Sequence, residues 1–471
     1  MLAEPTCAGK LAFCRIWHCQ RLGRGVYCAQ YMNFDTIERK MQGVGLSRAA
    51  IDAFRHSVGV LTSDQSMMIP ETEIEPARDV ADWEELVAAA PEADAALLAQ
   101  TVLVKLNGGL GTGMGLQKAK SLLEIKPGVT FLDTIVRQVQ SLRERAQYPV
   151  NLLLMNSFST SEDTMAHLAQ YADFADADQV EMLQNRVPKL VQETLEPVEF
   201  PANPELEWCP PGHGDIYPAL VGSGWLEKLL AAGVKYAFVS NSDNLGAQLD
   251  TRFLRWFAES GAPFVMEVTR RTEADKKGGH LAIRKADGQP ILREVAQCPA
   301  EDVPAFQDIE KHRYFNTNNL WIRLDALQEV LEANGGVLPL PVICNSKTVD
   351  PRDASTQAVY QLETAMGAAL QCFPGARAVC VPRSRFFPVK TCSDLLLLRS
   401  DAVEIDAAGA MKLAPECNGV APVVLLDGKL YKLVEALDAL GVPSLKHVSK
   451  LVVSSLHTFT PGEPLSGEVC I

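Results

Sequence analysis

Hydrophobic residues along the chain alternate between short unbroken runs and longer stretches with helical spacing. The unbroken runs, which are typical of buried strands, cover 102–106, 150–155, 236–240 and 264–269. After Thr130 the apolar residues recur every three or four positions, as expected for a helix that packs one face on a core. Thr130 would cap that helix, because its oxygen can accept from the first free backbone N–H groups. The alternation predicts an α/β domain over about 101–400, with a parallel sheet and helices on both faces.

The spacing changes on either side of this domain. Residues 32–100 show helical spacing and predict an N-terminal helical segment. Past the domain the helical pattern fades, and short β-like runs cover 423–431 and 451–459. Asp427-Gly428 is a favourable turn sequence and is expected to close a hairpin. Residues 401–471 are therefore expected to form a short C-terminal β-rich domain.

Residues 1–31 differ from the rest of the chain. They contain four basic residues and one acid, and their apolar stretch is too short for the core of a signal peptide. We expect a poorly ordered extension. The alternative is a targeting segment, since basic, acid-poor N-termini occur in transit peptides.

Composition removes several classes of function. The net charge of −14 argues against a general binder of nucleic acids or anionic membranes, which would need a positive surface. No run of 18 apolar residues occurs in the sequence, so no membrane-spanning helix is expected. The twelve cysteines form neither C-x-x-C pairs nor a Cys/His cluster typical of zinc sites. Because most of the thiols are scattered through a large core, we expect a reducing compartment and a cytoplasmic protein.

The first buried run leads into a loop unusually rich in glycine. Five glycines within eight residues are followed by two lysines: Gly108, Gly109, Gly111, Gly113, Gly115, Lys118 and Lys120. Glycine-rich backbone presents N–H groups that bind anions, and a lysine adds a point charge. The spacing excludes Walker A, which needs a glycine before the lysine, and the dinucleotide fingerprint G-x-G-x-x-G. The sequence therefore predicts a phosphate-binding loop at the carboxyl end of a parallel strand.

A second polar motif follows the third apolar run. Asn241-Ser242-Asp243 comes directly after Ser240. A carboxylate at the end of a buried strand is a good position for a Mg²⁺ ligand. The alternative for Asp243 is an Asx-turn, in which the side chain binds its own backbone.

Further short motifs follow in the same order as in one known family. They are Gln184-Asn-Arg-Val-Pro-Lys189, Pro210-Pro-Gly-His-Gly-Asp215, Phe315-Asn-Thr-Asn-Asn-Leu-Trp321, Val381-Pro-Arg-Ser-Arg385 and Pro388-Val-Lys390. With the glycine loop, this set resembles the eukaryotic-type UTP–glucose-1-phosphate uridylyltransferases (UDP-glucose pyrophosphorylases). The resemblance covers about 34–469, and Asp275-Lys-Lys-Gly-Gly-His280 is closest to the kinetoplastid-like branch.

The resemblance implies both a fold and a reaction. The fold would be a Rossmann-like nucleotidyltransferase sheet with a C-terminal left-handed β-helix, which is shortened here and favours a monomer. The reaction would convert UTP and glucose 1-phosphate to UDP-glucose and pyrophosphate, by in-line attack of the sugar phosphate on the α-phosphorus. Such an enzyme must align two polyanions and offset developing charge, which calls for Mg²⁺ and lysines rather than a covalent nucleophile.

The resemblance also implies roles for individual residues. Lys120 and Lys390 would be catalytic, and Asp243 would be the metal ligand. UTP would be bound by Leu106, Asn107, Gly108, Gly109, Lys120, Gln184, Gly212 and Lys390. The sugar phosphate would be bound by Gly108, Gly109, His213, Asn241, Ser242, Asp243 and Asn318, with Asn316 and Asn319 as alternatives to Asn318. Gly279 and His280 would lie along the sugar pocket.

Three rival functions deserve comparison with this expectation. One is a related UDP-sugar pyrophosphorylase that uses galactose 1-phosphate or N-acetylglucosamine 1-phosphate. Another is a non-catalytic nucleotide-sugar binder, which we would expect to lack at least one of Lys120, Asp243 and Lys390. The third is a glycosyltransferase, which would require a D-x-D motif where this chain has a single acid, Asp243. No nucleic-acid or membrane partner is expected.

Overall fold

The computed structural model describes residues 34–64, 66–88 and 90–471. The extension expected at 1–31 lies outside these residues. The helices are α1 (Asp35–Gly43), α2 (Arg48–Thr62), α3 (Trp83–Ala88), α4 (Ala95–Ala99), α5 (Phe131–Ala146), α6 (Ser161–Leu168), α7 (Ala177–Val180), α8 (Ile216–Gly222), α9 (Trp225–Ala231), α10 (Thr251–Ser260), α11 (Val303–Phe306), α12 (Leu324–Ala333), α13 (Cys392–Arg399) and α14 (Val434–Leu440).

The strands up to the middle of the chain are β1 (Ile74–Pro76), β2 (Ala81–Asp82), β3 (Thr101–Asn107), β4 (Glu124–Lys126), β5 (Val129–Thr130), β6 (Asn151–Asn156), β7 (Glu181–Leu183), β8 (Val187–Pro188), β9 (Leu190–Val191), β10 (Trp208–Cys209), β11 (Tyr236–Asn241) and β12 (Phe264–Arg270). The later strands are β13 (His280–Arg284), β14 (Pro290–Arg293), β15 (Tyr314–Arg323), β16 (Val342–Thr348), β17 (Ala358–Thr364), β18 (Arg377–Cys380), β19 (Val403–Ile405), β20 (Met411–Leu413), β21 (Val423–Leu426), β22 (Val448–Val453) and β23 (Gly467–Cys470).

One large sheet organises the molecule, in the order β2-β18-β12-β15-β11-β3-β6-β7. Along this order the strands are parallel except for β15, which runs antiparallel to both of its neighbours, β11 and β12. Three further strands of the same sheet, β1, β13 and β14, pair antiparallel beside β15. The predicted α/β fold is confirmed, and β3, β6, β11 and β12 match the four runs that the hydrophobic pattern identified. The sheet is mixed rather than wholly parallel, because strand direction depends on distant pairing partners and not on local composition.

Helices cover both faces of this sheet. All seven residues of β3 are buried, so this strand lies at the centre of the domain. Leu103 belongs to the hydrophobic cluster that contains residues of α5, α10 and α13. Val102 and Val104 belong to the opposite cluster, with residues of α8, α9 and α12. Because successive side chains of a strand point to opposite faces, β3 is held between two helical layers.

The helix predicted after Thr130 is α5. The Thr130 hydroxyl accepts from Asp133 N at 3.1 Å, and the Asp133 carboxylate accepts from Thr130 N at 2.8 Å. This capping box satisfies two backbone donors at the start of the helix. The predicted apolar face is buried and consists of Leu132, Ile135, Val136, Val139 and Leu142.

The N-terminal segment contains α1 to α4 and also two short strands. β1 pairs with β13, and β2 pairs with β18, so both extend the central sheet. Hydrophobic spacing did not reveal them, because strands of two or three residues are too short to display a period of two.

The C-terminal part is β-rich as expected, but the predicted hairpin at Asp427-Gly428 is wrong. β21 and β22 are parallel, as are β22 and β23. A parallel pair requires a crossover, and here the chain passes through α14 before it returns as β22. Asp427 instead accepts backbone bonds from Leu430 N and Tyr431 N, which turn the chain towards α14. Leu437 and Leu451 of this region share a buried cluster with Leu396 of α13.

Helices within the described residues are all too short or too polar to cross a membrane.

Candidate active site

The motif residues from separate parts of the chain meet at the carboxyl ends of β3, β6 and β11. Asn107, Asn156 and Asn241 end these strands, which pair in register up to that edge. In open α/β sheets, this edge is where ligands bind. The glycine loop leaves β3 here, and the segments around Gln184, Gly212 and Lys390 close around it.

The glycine loop runs from Gly108 to Lys120 and is largely open to solvent. Lys120 N donates to Gly109 O at 3.0 Å, so the two ends of the loop are joined. Gly111 has a φ of +65°, and a Cβ there would lie 2.7 Å from Leu116 Cδ1. Glycine is therefore required at this turn. The exposed backbone N–H groups of the loop are available to an anionic ligand.

Lys120 and Asp243 form an ion pair within the cleft. Lys120 Nζ lies 2.7 Å from Asp243 Oδ2 and also donates to Val389 O. The two side chains are 15% and 20% exposed, respectively. The cation at the end of the glycine loop and the carboxylate after β11 therefore occupy one half-buried site next to the segment that carries Lys390.

The segment that leads to Lys390 is held by hydrogen bonds to Asp243 and Asn244, the two residues that follow Ser242 after β11. Asn244 Oδ1 accepts from Phe387 N at 2.8 Å, and Asn244 Nδ2 donates to Arg385 O at 3.1 Å. Val389 N donates to Asp243 O at 3.2 Å. Lys390 itself is exposed, and its backbone N–H donates to Asp394. Its backbone is thus fixed while its ammonium group is accessible to a ligand.

His213 lies on the loop opposite Lys390. The backbone N–H of Met366 donates to His213 Nδ1 at 2.9 Å, which requires an unprotonated Nδ1. Burial, assisted by the charge of Lys390, lowers the pKa of His213 to about 4. The imidazole is therefore neutral at physiological pH and oriented by the backbone of another segment.

Gln184 lies between two glycines. Gln184 Nε2 donates to Gly212 O at 3.2 Å. A Cβ at Gly108 would lie 2.6 Å from Gln184 Oε1, and a Cβ at Gly212 would lie 2.5 Å from Thr364 O. Both glycines are therefore needed for close packing, and they hold the glutamine amide at the edge of the cleft beside the glycine loop.

The predicted residues Leu106, Asn107 and Ser242 lie beneath the cleft. All three are buried. Asn107 Oδ1 accepts from Ser242 Oγ at 3.1 Å, and Asn107 Nδ2 donates to Asn156 Oδ1 at 2.8 Å. These side-chain bonds join the ends of three strands, so any ligand contact at Leu106, Asn107 or Ser242 would be made by the backbone.

The three asparagines of β15 have different environments. Asn319 is fully buried and donates to Glu267 Oε2 at 2.9 Å. Asn316 is also buried and donates to Asn318 Oδ1 at 2.8 Å. Asn318 is half-buried and has a φ of +59°, within a bulge of β15 against β12. Asn318 therefore has the most accessible side chain of the three.

His280 does not line the cleft. It is fully buried at the start of β13, and its ring stacks on that of His312 at a centroid distance of 4.0 Å. A neighbouring carboxylate that sequence reasoning missed, Glu294, lies against Gly279, where a Cβ would be 2.5 Å from Glu294 Oε1. Burial raises the pKa of Glu294 above its ordinary value, and the nearby charge of Lys390 offsets only part of this rise. The adjacent glycines Gly278-Gly279 were the only sequence signal, since glycine permits such close approach.

The described residues contain no group of three or more His, Cys, Asp or Glu side chains that could hold a metal ion. Asp243 is a single carboxylate beside Lys120, at the end of the glycine loop. This arrangement fits Mg²⁺, which commonly binds one or two protein carboxylates together with substrate phosphates and water. It does not fit a structural metal site, which would need a full set of protein ligands.

Comparison with known proteins identifies close relatives. A family model described as UTP–glucose-1-phosphate uridylyltransferase matches residues 51–464. The UTP–glucose-1-phosphate uridylyltransferase of Saccharomyces cerevisiae is 42% identical over 391 residues, covering 82% of this chain and 75% of the yeast protein. The enzyme of Solanum tuberosum is 42% identical over 378 residues, covering 80% of this chain and 77% of the potato protein.

Solved structures are similar over almost the whole chain. The UDP-glucose pyrophosphorylase of Leishmania major, determined in open and closed structures, is 47% identical with a TM-score of 0.87. That comparison covers 93% of this chain and 94% of the Leishmania chain. An L281D mutant of the Leishmania enzyme, in complex with UDP-glucose, is also 47% identical with a TM-score of 0.87, covering 93% of each chain.

Proposed function

Because this chain belongs to the UTP–glucose-1-phosphate uridylyltransferase family, we infer that its reaction takes place in the cleft at the carboxyl ends of β3 and β11. The protein is a nucleotidyltransferase that converts UTP and glucose 1-phosphate to UDP-glucose and pyrophosphate. The observation that carries the assignment to this cleft is the convergence of Lys120, Asp243 and the Lys390 segment beside the glycine loop.

The reaction requires no covalent bond between the protein and either substrate. A phosphate oxygen of glucose 1-phosphate attacks the α-phosphorus of UTP, a P–O bond forms, and the bond to the pyrophosphate leaving group breaks. The protein must hold two anionic substrates in line and offset the charge that develops. Cations and backbone donors at fixed positions meet that need because they require no reorganisation during the reaction.

The nucleotide would bind along the glycine loop. Gln184 offers a donor and an acceptor to the uracil edge, with Gly108 and Gly212 permitting its close approach. The backbone from Leu106 to Gly109 would face the nucleoside. Lys120 would leave its ion pair with Asp243 and bind the phosphates, and Lys390 would neutralise charge around the α-phosphate.

The sugar phosphate would bind on the opposite side of the α-phosphate position. His213 would face its phosphate as a neutral hydrogen-bonding group, and Asn318 offers an accessible amide for sugar hydroxyls. Glu294, beside Gly279 and within the influence of Lys390, adds an acceptor for a hydroxyl. Asn241 would contribute at the end of β11.

We propose that Asp243 is the protein ligand for Mg²⁺ when the substrates are bound. Mg²⁺ would supply positive charge to the phosphate oxygens. Asp243→Asn should lower turnover at least about hundredfold at saturating Mg²⁺, because a neutral amide is a weaker ligand. Pyrophosphate release measured during a Mg²⁺ titration would test this, with Asp353→Asn, an exposed acid far along the chain, as the control. Normal turnover with an unchanged Mg²⁺ dependence would remove Asp243 from this role.

The decisive test of the whole assignment is a matrix of nucleoside triphosphates and sugar 1-phosphates, with pyrophosphate release as the readout. We expect UTP with glucose 1-phosphate to be the preferred pair. A higher kcat/KM with galactose 1-phosphate or N-acetylglucosamine 1-phosphate would support a different pyrophosphorylase. Absence of release with every pair would support a non-catalytic binder, although the presence of Lys120, Asp243 and Lys390 argues against that reading.

A monomeric state and a cytoplasmic location stay predictions. The eight cysteines in the described residues are all free thiols, which agrees with a reducing compartment. Light scattering on the purified chain and microscopy of the tagged protein would test the two predictions.

A further inference from the structure

Asp215 is a buried carboxylate that the reaction itself does not use. Its side chain is 4% exposed, and it lies at the end of the loop that carries Gly212 and His213. Its carboxylate accepts three hydrogen bonds from Asn185: from the backbone N–H at 2.6 Å, and from Asn185 Nδ2 at 3.0 Å and 3.2 Å to the two oxygens. No cation pairs with it among the described residues. Burial raises the pKa of Asp215 to about 7.

Burial of a carboxylate without a cation is unfavourable. A side chain whose only role was to fill space in the core would therefore be expected to be apolar. The space beside Asp215 is a small cavity of about 40 Å³, also lined by Ser57 and Thr364. The two oxygens of Asp215 face the two donors of Asn185, whereas an asparagine at this position would present one acceptor and one NH₂ group to them.

Asn185 directly follows Gln184, the residue that is proposed to bind the uracil base. Gln184 N donates to Asn156 O at 2.7 Å, which fixes the start of this turn at the end of β6. Asp215 fixes the next peptide through Asn185. The Gln184 side chain then extends between Gly108 and Gly212. One carboxylate therefore joins the loop that carries Gln184 to the loop that carries Gly212.

We propose that Asp215 is a positioning residue that sets selectivity for uracil by holding Asn185, and through it Gln184, at the edge of the base. This inference rests on the proposed contact between Gln184 and uracil. Uracil and cytosine exchange donors and acceptors on the edge that an amide can bind, so a small displacement of Gln184 would reduce discrimination between them.

The sugar-phosphate side should be independent of this contact. His213 lies in the same turn as Asp215, but its imidazole is oriented by Met366 N, which belongs to a different segment and does not bond to Asp215. Loss of the Asp215–Asn185 contact should therefore change the binding of UTP and leave that of glucose 1-phosphate nearly unaffected. A merely structural carboxylate would have no such preference for one substrate.

The primary test is Asp215→Asn, measured with UTP and with CTP. An amide at position 215 places an NH₂ group against one of the two donors of Asn185. We expect KM for UTP to rise about tenfold and the ratio of kcat/KM for UTP over CTP to fall about tenfold, as for one buried donor left unpaired. The kcat with UTP and the KM for glucose 1-phosphate should each change less than about threefold.

Two further variants test the contact from its other side. Asn185→Ala should reproduce the loss in UTP binding and selectivity. It also tests the contact independently if Asp215→Asn does not fold. The double variant Asp215→Asn/Asn185→Asp should restore both quantities to within about threefold of the original protein, because the new amide can accept from the backbone N–H and donate to the new carboxylate. Failure of this exchange to restore either quantity would count against the proposal.

Asp133→Asn is the matched control, since Asp133 is a buried carboxylate that accepts from Thr130, His167 and Tyr171. Asp133→Asn should lower the melting temperature without changing selectivity.

Gln184→Ala distinguishes the proposed contact between Gln184 and uracil from the positioning role of Asp215. If it lowers uracil selectivity and Asp215→Asn does not, the positioning role is wrong and the proposed function stands. If Gln184→Ala itself changes neither the KM for UTP nor the selectivity, the uracil contact is wrong and the positioning role falls with it.

Discussion

At the scale of single residues, charge close to the reacting phosphates should dominate the rate. Lys390 is exposed beside a backbone that Asn244 and Asp243 hold in place, so its ammonium group is free to bind a ligand. Lys390→Ala should lower kcat about 100- to 1,000-fold, since this is the usual cost of removing one preorganised electrostatic group. Uridine binding should survive, because Gln184 is supported by other segments.

Stopped-flow pyrophosphate release and calorimetric titration with UMP would measure the two effects of Lys390→Ala. Lys235→Ala is the control, since Lys235 is an exposed lysine that precedes β11, at the end of that strand opposite to the cleft. Near-normal turnover of Lys390→Ala would contradict a catalytic role for Lys390.

His213 should contribute to the pH dependence of stability. Its pKa is lowered from 6.5 to about 4, so the unfolded chain binds a proton below pH 6.5 that the folded protein resists until about pH 4. The free energy of unfolding should therefore fall as pH decreases through this window. His213→Gln keeps an acceptor for Met366 N and should reduce that slope. Urea unfolding at several pH values would measure this dependence in the original protein and in His213→Gln. Identical dependences of the free energy of unfolding on pH in the two proteins would contradict the expectation.

At the scale of elements, the active site depends on how loops are attached to strand ends. Asn244 follows β11, and its one amide holds two backbone positions of the 383–390 segment. Asn244→Ala should lower kcat about tenfold by releasing Lys390, which corresponds to about 1.4 kcal/mol. If Asn244 acts through Lys390, the double variant with Lys390→Ala should be no slower than Lys390→Ala alone. Multiplicative losses in the double variant would indicate separate roles.

At the scale of the whole molecule, a buried ion pair connects the central sheet to the catalytic segment. Glu267, in β12, is fully buried and accepts from Arg385 Nε at 2.9 Å and from Trp321 Nε1 at 2.9 Å. Removal of one partner leaves an uncompensated charge in the core. Arg385→Met should therefore lower the free energy of unfolding by about 3 kcal/mol or more.

Chemical unfolding followed by tryptophan fluorescence would measure this loss. Arg284→Met is the matched control, because Arg284 at the end of β13 and Asp287 in the turn that follows form an exposed pair. The control should be indistinguishable from the original protein, as for most surface ion pairs. Equal stability of the Arg385 variant would mean that the buried pair contributes nothing net.

Much of the fold and of the site was predictable from local sequence. The runs at β3, β6, β11 and β12 were evident because a buried parallel strand is apolar on both faces. The glycine loop and Asp243 were candidates because phosphate chemistry requires glycine-rich backbone, lysines and a carboxylate. Lys390 was a candidate only through the family resemblance, since a lysine after Pro388-Val389 is unremarkable by itself. Family resemblance supplied the substrate, which glycines and lysines alone could not distinguish from any other triphosphate.

Other features depend on pairing between distant segments and could not be read locally. The antiparallel direction of β15 and the parallel return of β22 each depend on partners far along the chain. The burial of Asn319 against Glu267 and the close approach of Glu294 to Gly279 are also contacts between distant segments. The same holds for the contact of Asp215 with Asn185, which are 30 positions apart. Hydrophobic periodicity and composition report which residues are buried and which chemistry is available, whereas the direction of a strand and the partner of a polar group are decided when the whole chain packs.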